Sequence, residues 1–396
     1  MWPQVEYETL PWHRDDDALA YAPKTQRRKI QGTYEAALPA HIASLDVNLN
    51  AELSRRAEEL MASIARYDQE QANRAYNLPA LMLRSESSSS SQIERLTSSA
   101  RNVALAELSD KTPSNAQLIA RNVAAMREAI QHAERIDIAQ ICRIHDTLMA
   151  NTNEQAGIRN QQVWIGGNVY SPHGAQFVPP HHSRVKECLN DLVAFGTRDD
   201  ISPIIKAALF HAQFETIHPF TDGNGRTGRA LLHAMLKWDD VIRCTTLPIS
   251  AGLLHDVNAY MEALNAYHDG EIAPIIEQLI NALDLSVILG ARMAARVDTT
   301  LAQWNELITE RKGSAIYQLP ALLAEQPVVN ASFVAAKLDM SERAARNLIE
   351  RACEYGILAK MGNARRGVFY QAPELIDVIE EASADASVIR AGWNRG

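Results

Sequence analysis

Cysteine is scarce and dispersed: Cys142, Cys188, Cys244 and Cys353 are the four in 396 residues. They form no CxxC pair and no other metal spacing, which argues against a zinc framework or a disulfide scaffold. Reduced, buried thiols in a cytoplasmic protein are expected. Basic charge is also in deficit, the formal net charge being -9, which argues against a surface coated for nucleic acid while a local patch stays open. No run approaches the roughly 20 apolar residues of a membrane span, and no membrane partner is expected. The opening Met1-Trp2-Pro3-Gln4 lacks the cationic start and apolar run of a secretory signal. There is no P-loop lysine motif and no HExxH. What the chain does have is 46% hydrophobic residues, ample for a core, and a length that implies two or three domains.

Most of the chain has helical periodicity. Residues 1 to about 35 are polar and irregular, with Asp15-Asp16-Asp17 as a solvated acidic run. From Ala36 to Tyr76 the pattern turns helical, Leu53, Ala57, Leu60, Ile64 and Tyr67 forming one apolar stripe. The serine run Ser85–Ser91 reads as a linker or a helix start, and Ser91 with Glu94 fits a capping box. Helices are expected over 115–134, 136–150, Val185–Gly196, Ile204–Ile217 and from Ala251 to Ile288. His145 falls within the apolar pattern of the second and is expected to be a core histidine. His181-His182, without further ligands at matching spacing, reads as an exposed loop.

The period changes between Val163 and Pro180. Val163-Trp164-Ile165 ends at Gly166-Gly167, and Ala175-Gln176-Phe177-Val178 is stopped by Pro179-Pro180. Together they read as a long-looped β-hairpin, the one strand pair expected in the first three hundred residues. In the last hundred, a long helix (about 285–312) precedes short helices over Ile316–Glu325, Phe333–Leu338 and Ser341–Tyr355. Asn330 and Ser341 are placed to cap the second and third. The tight link Leu338–Ser341 has the shape of a helix-turn-helix. Ile357–Lys360 and Gly367–Tyr370 then pair around Gly362–Arg366 as a wing. Between Ile316 and Tyr370 seven Lys/Arg face five Asp/Glu, a net of +2, which leaves contact with DNA or with protein open.

The densest chemistry is His218-Pro-Phe-Thr-Asp-Gly-Asn-Gly-Arg-Thr-Gly-Arg229. Glycines leading into a helix start present backbone N–H groups and a positive dipole end, suited to phosphate. Arg226 and Arg229 add planar donors. Asp222 suits a divalent cation, and His218 a proton near neutral pH. Gly223–Gly228 also spells G-x-G-x-x-G, but a dinucleotide fold needs a strand before it and a βαβ unit around it. Here a helix precedes, and that reading is rejected.

The whole string matches H-x-F-x-[D/E]-G-N-G-R-x-x-R, and the chain resembles the Fic family on it. The resemblance implies a mainly α fold: a helical bundle with a β-hairpin flap, followed by a winged helix-turn-helix domain. The segments implied are 1–114, with an inhibitory helix around 85–100; 115–285 as the catalytic core; and 286–396 as linker helix and winged helix. It implies AMP transfer from ATP to a Ser, Thr or Tyr hydroxyl of a target and of the protein itself. Gly223, Asn224, Gly225, Arg226, Thr227, Gly228 and Arg229 would hold the nucleotide, Asp222 would hold Mg²⁺, and His218 would be the base. Phe220 would anchor the loop, and Tyr260 is a candidate wall of the adenine pocket. Val163, Trp164, Ile165, Gly166, Phe177 and Val178 would dock the target as an added strand. Relatives with lysine at the position of Gly225 transfer the γ-phosphate, so glycine there favours AMP transfer. Ser90 and Glu94 resemble the family's inhibitory motif, Glu94 pairing with Arg229, although the family usually follows that glutamate with Gly or Asn and this chain has Arg95. Removal of AMP at the same site, or a DNA-binding regulator that senses nucleotide, are the alternatives. A homodimer is plausible from relatives.

Overall fold

A computed structural model of the chain describes residues 2–12, 23–28, 30–152, 157–362 and 367–382. The acidic run Asp15–Asp17 and the wing arginines Arg365 and Arg366 lie outside the described residues. The chain is mainly helical. Its elements open with β1 (Glu6–Pro11), β2 (Thr33–Leu38), α1 (Ala51–Gln71), α2 (Leu78–Ile93), α3 (Ala100–Ala106), α4 (Ser114–Gln131) and α5 (Ile138–Leu148). They continue with α6 (Val185–Gly196), α7 (Pro203–Ile217), α8 (Asn224–Trp238), α9 (Ile249–His255), α10 (Val257–His268) and α11 (Ala273–Leu307). The last are α12 (Leu319–Glu325), β3 (Val328–Val329), α13 (Ala331–Lys337), α14 (Glu342–Glu354), β4 (Ala359–Met361) and β5 (Phe369–Gln371).

Residues 1–57, 128–238 and 258–279 form one compact unit. Its core helix is α7, whose Ile204, Ala208, Leu209, Phe210, Ala212, Phe214 and Ile217 are all buried. A helix apolar on every side belongs inside. α8 packs against α7 and against α5. The approach to α7 is close because Gly228 has no side chain: a Cβ there would sit 2.5 Å from Glu215 Oε1 and 3.0 Å from Phe214.

The same unit corrects the strand expectation. β1 and β2 pair antiparallel from Glu6↔Leu38 to Pro11↔Thr33, in a stretch that reads as polar and irregular. Glu6 and Glu8 stand opposite Leu38 and Ala36, so charged and apolar residues share a face and the alternation is masked. The expected hairpin at 163–180 reduces to one antiparallel bridge, Ile165↔Phe177. Its outer side is joined to the N-terminal pair, Ala37 N–H donating to the Val178 carbonyl at 3.0 Å.

Residues 58–127, 239–257 and 280–396 form the second unit. Here the serine run is neither linker nor helix start. It lies inside α2, with Pro79 in the first turn, and Ser85, Ser87, Ser89, Ser90 and Ser91 are fully buried. Small side chains let α9 and α12 pack closely on α2, and Asn122 Nδ2 donates to the Ser87 carbonyl (3.1 Å) and Ser91 Oγ (3.2 Å). The capping box at Ser91 and Glu94 is therefore not formed: Glu94 is the C-cap. Leu96 N–H donates to Ser91 C=O and Arg95 N–H to Gln92 C=O, both at 2.9 Å, the crossed pair of a Schellman motif. The residue past the cap in that motif is left-handed, and Arg95 has φ 62°. Ser99 caps the next helix, accepting from Asn102 N–H at 3.3 Å.

α11 runs unbroken through the domain boundary expected at 285/286 and ends at Leu307. It is long and apolar enough, by length and composition, to cross a membrane, which corrects the reading that no such stretch exists. Leu283, Leu289, Val297 and Trp304 are nonetheless buried within the protein, the pattern of a core helix. Past it, Asn330 and Ser341 cap α13 and α14 as their positions imply, accepting from Phe333 N–H (2.8 Å) and Ala344 N–H (3.2 Å). β3, β5 and β4 form an antiparallel sheet in that order. Of the thiols, Cys188 is buried, Cys142 and Cys353 partly so, and Cys244 exposed, so burial of all four does not hold.

Candidate active site

His218 ends α7. Its N–H donates to the Phe214 carbonyl at 2.9 Å, and its backbone is left-handed (φ 50°, ψ 62°). Histidine is among the few side chains enriched there, and Pro219 prevents the helix from continuing. The ring Nδ1 lies 3.3 Å from the Glu215 carbonyl. A carbonyl only accepts, so Nδ1 carries the proton and Nε2 keeps the lone pair of a base.

The turn from His218 to α8 is held at both ends. Asn224 clamps Phe220, its Oδ1 accepting from Phe220 N–H and its Nδ2 donating to Phe220 C=O, both at 2.9 Å. Its side chain is thus committed to loop shape, and what it can offer a nucleotide is backbone. Phe220 is fully buried, as its anchoring role requires. Gly223 has φ 76°, and a Cβ there would meet Leu148 at 3.0 Å and Met149 Sδ at 3.2 Å. The first helical bond of α8 runs from Thr227 N–H to Gly223 C=O at 2.9 Å. The N–H groups before it have no carbonyl behind them within the helix and point toward the loop.

Arg226 and Arg229 are almost entirely buried. Arg226 reaches back to Asp222, Nη2 to Oδ2 at 3.2 Å, while its Nε is buried with no partner among the described residues. An orphaned guanidinium nitrogen beside a phosphate-type loop fits an anionic ligand. The Asp222 side chain is 56% exposed. No cluster of three or more His, Cys, Asp or Glu gathers among the described residues, so there is no all-protein cage. One exposed carboxylate beside a phosphate loop nevertheless fits Mg²⁺, which keeps its waters and takes the rest of its shell from substrate phosphates.

Two predicted positions change meaning. Gly228 is set by helix packing, as its contact with Glu215 shows. Tyr260 is 1% exposed, its hydroxyl 2.7 Å from His211 Nε2, so it is packed in the core. Burial, with Arg229 adding, pushes the His211 pKa down to about 3, so that ring is neutral.

Sequence reasoning missed Arg159. It is 2% exposed and has no carboxylate partner among the described residues. Its Nε donates to the His218 carbonyl (2.8 Å), Nη1 to Gln161 (3.1 Å), and Nη2 to Pro180 (2.6 Å) and Ile217 (3.4 Å). Burial lowers its pKa to about 10, which leaves it charged at neutral pH. The cation sits on the last carbonyls of α7, where a helix end is negative, and it ties His218 to the base of the flap. A lone arginine before the flap offered no periodicity or spacing by which to find it.

In the flap itself, Ile165 N–H donates to Phe177 C=O and Gln176 N–H to Ile165 C=O, both at 2.8 Å. Gly166 and Gly167 are left-handed. Trp164 Nε1 donates to the Asn168 carbonyl at 2.6 Å, and Phe177 stacks on His268 with centroids 4.3 Å apart. Val163 and Val178 flank this bridge. Ile165 and Val169 are exposed. Trp12 packs edge-on against Tyr34 and Trp164, bracing the flap from the N-terminal pair. In the second unit, Ser90 lies inside α2 and Glu94 caps it.

Residues 135–236 match the family model for the Fic/DOC family. Over those residues the chain is similar to the Fic/DOC family. It is 32% identical over 149 residues to protein adenylyltransferase Fic of Nematostella vectensis, covering 37% of this chain and 32% of that protein. It is 34% identical over 198 residues to protein adenylyltransferase fic-1 of Caenorhabditis elegans, covering 48% and 35%. The matched regions thus span about a third of the length of these relatives. A Fic family protein from Desulfovibrio desulfuricans shares the fold, with a TM-score of 0.53 at 21% identity over 82% of this chain and 97% of that one. The match ends at Leu236 and so spans α5 through most of α8.

Proposed function

We propose that this chain is a protein adenylyltransferase that moves AMP from ATP to a Ser, Thr or Tyr hydroxyl of a target protein and of itself. The observation that carries this reading is the loop from His218 to Arg229: a base with its Nδ1 proton tied to Glu215, then a phosphate-type turn, then two buried arginines. The relatives named above are adenylyltransferases, which agrees with it.

In this reading the acceptor hydroxyl gives its proton to His218 Nε2 as its oxygen bonds the α-phosphorus. The bond between that phosphorus and the oxygen bridging to the β-phosphate breaks, and pyrophosphate leaves. The backbone from Gly223 to Gly225 and the start of α8 hold phosphate oxygens, and Arg226 and Arg229 hold the β- and γ-phosphates. Asp222 would hold Mg²⁺, which supplies charge neutralisation between the α- and β-phosphates when bound. The flap presents the target segment to His218 by main-chain bonds. Ser90 and Glu94 make the site switchable, Glu94 competing for Arg229 and restraining the productive pose of ATP.

Incubation of the purified chain with α-labelled ATP and Mg²⁺ tests this. Label is expected on protein, more in Glu94→Gly than in the parent chain and none in His218→Ala. No label under any variant overturns the reading.

A further inference from the structure

One buried polar contact in the Fic domain is not used by the chemistry above. Asp137 caps α5, accepting from Gln140 N–H at 2.8 Å, and sets Ile141, Ile144, His145 and Leu148 on its buried face. His145 is fully buried. Its ring lies flat on Phe220, with centroids 3.7 Å apart and planes 5° from parallel. Its Nε2 lies 3.1 Å from the backbone carbonyl of Asp222, so it donates there. Its Nδ1 has no hydrogen-bond partner among the described residues, the Asp146 carboxylate being 3.8 Å away. Packing alone does not call for an imidazole here, since phenylalanine would stack on Phe220 as well. The polar atom the ring adds is spent on one carbonyl.

That carbonyl belongs to the peptide joining Asp222 to Gly223. Glycine adopts either sign of φ at little cost, so this peptide is free to flip unless something holds it. Without that anchor the ψ of Asp222 and the φ of Gly223 can drift together, and the Asp222 Cα, from which the carboxylate springs, drifts with them. We infer that His145 is a positioning residue for Asp222: its N–H anchors the Asp222 main chain through the carbonyl and so fixes the point from which the carboxylate reaches the cation accompanying ATP. Leu148 and Met149, under Gly223, support the same turn from below. This rests on the nucleotide reading of the loop.

The test is calorimetric titration of the full chain with ATP across a series of MgCl₂ concentrations. His145→Phe keeps the stack and removes the donor, whereas His145→Gln keeps an N–H. In His145→Phe, ATP affinity in EDTA is expected to equal that of the parent. The Mg²⁺ needed for half-maximal tightening is expected to rise roughly three- to tenfold, the loss of one buried hydrogen bond. His145→Gln recovers part of it, and in Asp222→Ala the His145→Phe change adds nothing. Unchanged Mg²⁺ dependence overturns the proposal, as does an equal loss of affinity with and without Mg²⁺, or an effect that persists in Asp222→Ala. Should His145→Phe not fold, His145→Gln against His145→Met makes the same comparison of donor and no donor. If the parent chain shows no Mg²⁺-dependent ATP binding, the nucleotide reading falls and this inference with it. If the parent does and His145→Phe matches it, this inference alone falls.

Discussion

Arg159 donates from Nε to the backbone carbonyl of His218 at 2.8 Å, so the base of the site is held through its main chain by a buried cation that also grips both ends of the flap. Arg159→Met would strip partners from the carbonyls of Gln161, Pro180, Ile217 and His218. Unpaired buried acceptors cost on the order of 1–3 kcal/mol each, so a loss of about 3 kcal/mol or more is expected in urea unfolding. Arg159→Lys, with one compact ammonium, should recover less than half of it. A variant as stable as the parent contradicts this role.

Gly228→Ala should be costly for a different reason. The added methyl would meet Glu215 and Phe214 where α8 approaches α7. Overpacking of this kind costs roughly 1–3 kcal/mol. A thermal midpoint within error of the parent's would show that the helices can separate freely, against the packing described here.

Arg95→Gly should stabilise the chain. Arg95 sits left-handed past the end of α2, and relieving a side chain of that conformation is worth about 1 kcal/mol, less what the glycine regains in unfolded-state entropy. Because the same cap fixes Glu94, Arg95→Gly should also deepen inhibition of AMP transfer. Urea unfolding reads the first effect and label incorporation the second. A destabilised Arg95→Gly would mean that the arginine makes a contact worth more than its strain.

Acid should weaken the fold before its carboxylates titrate. Burial pushes His211 to about 3 and His268 to about 4, both below the ordinary 6.5. The unfolded chain then binds protons that the folded chain refuses, so the stability these rings confer is complete above about pH 6.5. It is lost as pH falls toward 4, at about 1.4 kcal/mol per pH unit for each ring. His268→Phe keeps a ring against Phe177 and should flatten the slope of urea midpoint against pH between 6.5 and 4. An unchanged slope would place the proton uptake elsewhere.

The site was legible because its chemistry is contiguous: twelve residues hold the base, the turn and both arginines. The helices around it were legible from periodicity, and α6 begins and ends where its pattern does. What escaped depended on distance or on burial. β1 and β2 pair across more than twenty residues, with Glu6 and Glu8 opposite Leu38 and Ala36. The serines of α2 look like a linker, and only close helix packing gives them a reason to be small. Arg159 and His145 act on backbone carbonyls, and no side-chain spacing announces such a bond. The depth of Tyr260, 1% exposed, was not visible either, because burial is not written in a single sequence.

The most direct test of the central claim is the intact mass of Glu94→Gly after incubation with ATP and Mg²⁺. A gain of one AMP per site, abolished by His218→Ala in the same background, is the result expected. A gain of one phosphate, or an AMP adduct that survives His218→Ala, would contradict it.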